Sequence, residues 1–368
     1  MPFILLPGGN AQELRRIQAL DLDSPLAIES VITQLGAKRV VFVGETHSRY
    51  DHHLNQLEVI RRLHQLDTNL VIGVEYFQQQ LQPRVDDYIA GRTTEDEFLR
   101  SVDYYRTWGY DYRLYAPIFR FARERKIPVR ALNIDGSVAS AVAKVGIKGL
   151  SEQQRASLPQ DIEPADQSYR ARLRIAFEGH RTAGPADFDH FVEAQLAWDE
   201  SMANNAADYL KANPGCRMVI LAGAGHVAFG SGIPSRLDRR LHTSYAVVLN
   251  SGENIEPQIA DYILLSKEEQ LPPAGTLGAS LEEEGGLCRI RSLDPAGAAL
   301  KAGLKKGDGL VEVDGQPVKT TGDVRVALWD KKPGQHVVVE ARRGRWLANT
   351  EHKFDVELAA PTKGPVEP

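Results

Sequence analysis

The sequence predicts an α/β protein: a mostly parallel sheet flanked by helices, with a large helical insertion, followed by a small β-rich domain. Three observations lead there. Short apolar runs alternate with amphipathic segments across residues 27–135, the pattern of successive βαβ units. Val40-Val41-Phe42-Val43 and Met218-Val219-Ile220-Leu221 lack the polar alternation of a half-solvated strand, so each is expected to be buried on both faces. At Ser266–Gly275 the composition shifts to Lys-Glu-Glu-Gln-Leu-Pro-Pro-Ala-Gly, a linker. The expected organisation is a first domain over 1–265, a linker over 266–274, a β-rich domain over 275–359 and a disordered Pro-rich tail over 360–368.

Ser24 to Gly36 reads as the first helix, with Ser24 as cap, Pro25 at the first turn and Gly36 as stop. The Val40 strand follows. Asp51 is placed to cap a helix over His52–Leu66, which carries Leu54, Leu57, Ile60 and Leu63 at helical spacing. Leu70–Tyr76 is the second strand and Val129–Asn133, after Pro128, the third. Between them Tyr104–Tyr115 holds five of the twelve tyrosines, which either pack a helix onto the core or line an apolar ligand pocket. Gly136 to Ala212 is mainly helical, ending in a long helix over Asp187–Leu210, and reads as a lid or a surface for a homodimer. After the Val219 strand, Ser244–Leu249 and Asp261–Leu265 are expected as antiparallel edge strands.

The chemistry gathers at strand ends. Val40–Val43 runs into Gly44-Glu45-Thr46-His47, and Arg217–Ala222 into Gly223-Ala224-Gly225-His226. In open α/β sheets ligands sit at the carboxyl ends of strands. Two strands that each deliver a Gly-x-x-His are therefore read as two walls of one site. Glu45 and Glu75, at the ends of buried strands, need a cation, a proton or an arginine as partner. His47, His226, Glu45 and Glu75 are thus candidate metal ligands for zinc, manganese or iron. Whichever glutamate is left unligated would be the general base of a hydrolase. His52 and His53 are assigned to the surface or to a supporting layer.

A net charge of −5 gives no argument for nucleic acid or an anionic membrane. Cys216 and Cys288 fall in different units and make no disulfide framework. Met1 to Asn10 lacks the basic and apolar regions of a signal peptide, so the sequence as written reads as cytoplasmic.

The C-terminal unit carries Gly275-Thr276-Leu277-Gly278-Ala279, then Asp294-Pro295-Ala296-Gly297, Ala302-Gly303-Leu304, Gly307-Asp308-Gly309 and Val313-Asp314-Gly315. These motifs closely resemble a PDZ domain of the bacterial type. Gly275 and Gly278 allow loop N–H groups from Gly275 to Ala279 to point at one peptide carboxylate, and the strand near Ser280 offers its edge to an extended peptide or protein C-terminus. A PDZ that only docks on its own first domain is the alternative. Asp314-Gly315 reads as a tight hairpin turn.

The first domain resembles the haem-binding uptake (ChaN-like) family of the Tiki superfamily, through Gly44–His47 with Asp51-His52-His53, Gly73-Val74-Glu75, the aromatic segment before Pro117, Ala131-Leu132-Asn133 and Gly223–His226. The resemblance implies binding of haem or iron, with iron uptake as the role and a periplasmic or membrane-associated location. It implies a metal-dependent hydrolase as the alternative, since Tiki-type and erythromycin-esterase-like relatives place paired histidines and glutamates at an active site. Tyr104, Tyr105, Tyr110, Tyr112, Tyr115, His180 and His190 are the candidate haem ligands under the first reading.

Overall fold

The computed structural model describes residues 25–179, 187–252, 255–344 and 350–361. His180 and the predicted tail beyond residue 361 lie outside them. Six strands form the first sheet: β1 (Val40–Glu45), β2 (Leu70–Gln78), β3 (Val129–Asn133), β4 (Arg217–Gly223), β5 (Tyr245–Asn250) and β6 (Tyr262–Leu264). Their spatial order is β3-β2-β4-β1-β5-β6. Every pairing is parallel, including β1 with β5 and β5 with β6. The expected antiparallel edge strands are thus corrected: each connection crosses back over the sheet, so both strands re-enter from the same end as β1.

The two faces of β1 go to two cores, which is why its sequence shows no alternation. Val41 and Val43 pack with α1 (Ile28–Gly36), α2 (Tyr50–Leu66), α3 (Gln82–Ile89), α4 (Glu95–Ser101), α5 (Tyr104–Thr107) and α6 (Ala116–Arg125). Val40 and Phe42 join the opposite cluster. The insertion there holds α7 (Gly136–Val145), α8 (Glu152–Ala156), α9 (Gln167–Gly179) and α10 (Phe188–Ala212), and α11 (Ile233–Leu241) follows β4; α10 and α11 cover this face.

Two helix starts differ from expectation. α1 begins at Ile28 with no side-chain cap, and Ser24 lies outside the described residues. Asp51 sits inside α2 and caps nothing; Arg49 grips its carboxylate with two hydrogen bonds of 2.9 Å each.

The C-terminal unit is a sheet of β7 (Ala279–Glu284), β8 (Leu287–Leu293), β9 (Gly309–Val313), β11 (His336–Arg343) and β12 (Thr350–Glu357), with β10 (Gln316–Pro317) paired to β9. Two helices complete it, α12 (Ala298–Lys301) and α13 (Thr321–Leu328). Asp314 and Gly315 have φ of 52° and 76°, the left-handed pair that a two-residue hairpin requires.

α13 has two buried faces. Val324 and Ala327 fill the core of the C-terminal unit, whereas Val326 and the following Trp329 join the core of the first domain. Trp329 Nε1 donates to Asp96 at 2.7 Å, and Arg100 pairs with Asp323 at 2.6 Å. Among the described residues no helix is long and apolar enough to cross a membrane.

Candidate functional site

Because β4 lies between β1 and β2, the ends of three parallel strands converge. β1 ends at Glu45, β2 passes through Glu75, and β4 leads into the turn that carries His226. Gly44 is glycine for a packing reason: a Cβ there would lie 3.2 Å from the Ala224 Cα and closer still to Leu249 and Val227. That close approach lets the two Gly-x-x-His turns sit side by side.

Each histidine is held by a buried carboxylate. His47 Nδ1 lies 2.6 Å from Glu45 Oε1, and no partner engages its Nε2 among the described residues. The His47 carbonyl accepts from His53 Nε2 at 3.1 Å and from the Tyr115 hydroxyl at 3.4 Å. His52 Nδ1 accepts from the Thr46 N–H at 3.1 Å, and its Nε2 donates to the Ser251 carbonyl at 3.0 Å. His52 and His53 are therefore buried supports of the turn, not surface residues.

His226 is bracketed. Its Nδ1 meets Asp199 Oδ1 at 2.6 Å and its Nε2 lies 3.3 Å from Glu75 Oε1. Glu75 Oε2 in turn accepts from the Gly223 N–H at 2.7 Å, and the Tyr169 hydroxyl donates to Asp199.

The electrostatics follow. Burial alone would raise the Glu75 carboxyl, but the imidazoles of His226 and His47 and the Gly223 N–H override it and bring it down to about 2. Burial would likewise discharge His226, yet the carboxylates of Glu75 and Asp199 hold it well above the ordinary histidine value. At His47 burial is again outweighed, here first by Glu45, and the ring is raised. His226 is thus an imidazolium between two carboxylates. His47 presents its outer nitrogen to solvent.

That nitrogen faces a cavity of about 330 Å³ lined by His47, Glu75, Tyr76, Trp108, Tyr110, Asn133, Trp198 and His226 among others. Trp108 and Tyr110 flank the His47 ring, each with its centroid 4.9 Å away. A larger hollow of about 800 Å³ between α1, α2 and the β6 segment includes none of the predicted site residues.

The other candidates are dispersed. Tyr104, Tyr112 and Tyr115 are core residues at 1% exposure or less, and cannot offer a hydroxyl to a ligand. Burial also drives all three phenols well above their ordinary value. Tyr105 packs under Arg325 of the C-terminal unit, and His190 lies beside Gly146 in the first turn of α10. Tyr110 alone of the tyrosine candidates lines the cavity. Among the described residues no group of three or more His, Cys, Asp or Glu has metal-holding geometry. At His226 the reason is visible: both ring nitrogens are already taken by carboxylates.

Sequence reasoning missed Asp199 as a site residue. Its signal was an acid in register with the apolar stripe of α10, between Leu196 and Met202–Ala203, where a solvated carboxylate does not belong.

The sequence profile of the haem-binding uptake family, Tiki superfamily, ChaN, matches residues 31–237. The chain belongs to that family. A PDZ domain profile matches residues 275–358, so the C-terminal unit is a PDZ domain. The structure of ChaN from Campylobacter jejuni, described as binding haem cofacially, aligns with a TM-score of 0.53 at 18% identity over 65% of this chain and 91% of that one. Protein RETICULATA-RELATED 5, chloroplastic, from Arabidopsis thaliana is 25% identical over 278 residues, 67% of this chain. The chain spans 37% of the length of that curated relative.

In the PDZ domain the carboxylate loop is narrower than expected. The Gly275 N–H donates to the Lys331 carbonyl at 2.9 Å and that of Thr276 to Ala359 at 2.8 Å. These two donors are spent internally, which leaves Leu277 and Gly278 at the head of the β7 edge. Gly278 has φ of +64° and a Cβ there would press on the Gly297 backbone.

Proposed function

We propose that this ChaN-family protein binds haem in the cavity beside His47, and that its PDZ domain takes an extended peptide or a protein C-terminus along the outer edge of β7. One observation carries the haem reading: an imidazole whose Nδ1 is fixed by the buried Glu45 carboxylate and whose Nε2 opens into an aromatic-walled cavity. A carboxylate behind a ligating histidine sets its tautomer and raises its donor strength. His47 Nε2 is then the donor offered to iron. Trp108 and Tyr110 supply apolar faces for the porphyrin, and the His226 imidazolium is the cationic group of the cavity. A role in iron uptake accords with this reading.

Titration of the full chain with haemin, followed at the Soret band, tests it. His47→Ala is expected to abolish the specific shift. Glu45→Gln, which keeps the ring but weakens its support, is expected to lower affinity by about tenfold or more. An unaltered Soret shift and affinity in His47→Ala would sink the reading.

Hydrolysis is the second reading, favoured by two imidazole–carboxylate pairs bordering one cavity. There His47 Nε2 takes a proton from water and the His226 imidazolium stabilises developing negative charge. Turnover of a p-nitrophenyl ester, lost in His47→Ala, would support it over the first.

A further inference from the structure

The cavity is lined by first-domain residues, but one of its turns is held from the PDZ domain. Trp108 and Tyr110, which flank His47, are joined by Gly109, whose φ of +86° turns the chain sharply between them. The Gly109 carbonyl accepts a 2.8 Å hydrogen bond from Arg325, on α13 of the PDZ domain. The same guanidinium lies over the Tyr105 ring, 4.1 Å from its centroid, in the helix that leads into this turn. One residue on, Val326 is buried in the first domain's core, so the helix that carries Arg325 is firmly seated. Other contacts of the dock do not include the Trp108–Tyr110 turn: Arg100 reaches Asp323 and Gln316, and Asp96 receives Trp329 and Gln316.

We propose that Arg325 is a positioning residue for the haem-family cavity, and that α13 sets the place of one wall from behind, without lining it. By holding the Gly109 carbonyl it fixes where Trp108 and Tyr110 stand against His47. The PDZ domain would thereby shape the first domain's site as well as offer its own. The hydrogen bond acts on a turn whose neighbours are both cavity walls, so a small displacement there is felt at His47.

The test uses the full chain with histidine-selective isotopic labelling. In Arg325→Ala the His47 Cε1–H resonance is expected to move, because its chemical shift depends on the two flanking rings. Arg325→Lys, which keeps a donor and a cation over Tyr105, is expected to restore much of the wild-type position. Arg100→Ala, which loosens the dock on the side away from the turn, is expected to leave the resonance in place. An unmoved resonance in Arg325→Ala, or an equal movement in Arg100→Ala, would overturn the proposal. A second readout rests on the haem reading: haemin affinity should weaken about three- to tenfold in Arg325→Ala, the scale of one lost hydrogen bond. If wild-type protein binds no haemin, that reading fails, and the His47 resonance still decides the role of Arg325.

Discussion

Glu75 and His226 form an ion pair whose charges exist because each stabilises the other. The folded Glu75 carboxyl titrates at about 2 against an ordinary 4.5, so its contribution to stability is present above about pH 4.5 and is lost as pH falls toward 2. The folded His226 ring is raised above 6.5, so its contribution is complete below pH 6.5 and is lost as pH rises through the folded value. The pair therefore stabilises most between about pH 4.5 and 6.5. Glu75→Gln leaves a buried imidazolium short of a partner, and is expected to cost about 3–5 kcal/mol in that window. Urea unfolding across pH measures it: the gap between variant and wild type should close as pH approaches 2. A gap that stays constant with pH would contradict the assignment. The two Gly-x-x-His motifs were legible in the sequence because they are local. That Glu45 serves His47, while Glu75 serves His226, was not, since the second pairing joins residues on different strands.

At the scale of elements, the site depends on how α11 leaves the His226 turn. Gly232 stands at the N-cap of α11, and a Cβ there would sit on the His226 carbonyl oxygen and 3.1 Å from Asp199 Oδ2. Relief requires backbone movement because the obstructing atoms are themselves main chain. Gly232→Ala is expected to destabilise by about 1–3 kcal/mol in thermal melts and to pull His226 away from Asp199, which the His226 ring resonances would report. The long helix α10 was legible from its apolar period, and its role was not. Asp199 becomes a site residue only because α10 packs along β3 with that face inward, where it meets the His226 turn.

For the whole molecule, the decisive contact is Trp329. It is 7% exposed, stands edge-on to Tyr112 with centroids 5.2 Å apart, and lies under the Arg120 guanidinium. Trp329→Ala removes the largest apolar side chain at the dock between the two domains, and is expected to cost about 3–5 kcal/mol. Calorimetry should then show two transitions where wild type shows one, because each domain keeps its own core. A single unsplit transition in the variant would mean that the domains are not coupled through this residue. Docking and an available edge are compatible in this PDZ domain: α13 meets the first domain, and β7 ends the sheet with no further strand paired to it among the described residues.

The sequence by itself determined the strands of the first sheet, its mostly parallel α/β class, the PDZ motifs and the two histidine turns, because each is written in residues close together along the chain. The tertiary structure decided which tyrosines are core and which one lines the cavity, since Tyr104, Tyr110, Tyr112 and Tyr115 share a composition and differ only in the face they turn. It also decided that β5 and β6 run parallel to β1, that Asp199 completes the His226 pair, and that a PDZ arginine holds the turn beside His47. Those are contacts between distant segments, and a chain encodes them only through the way its apolar faces pack.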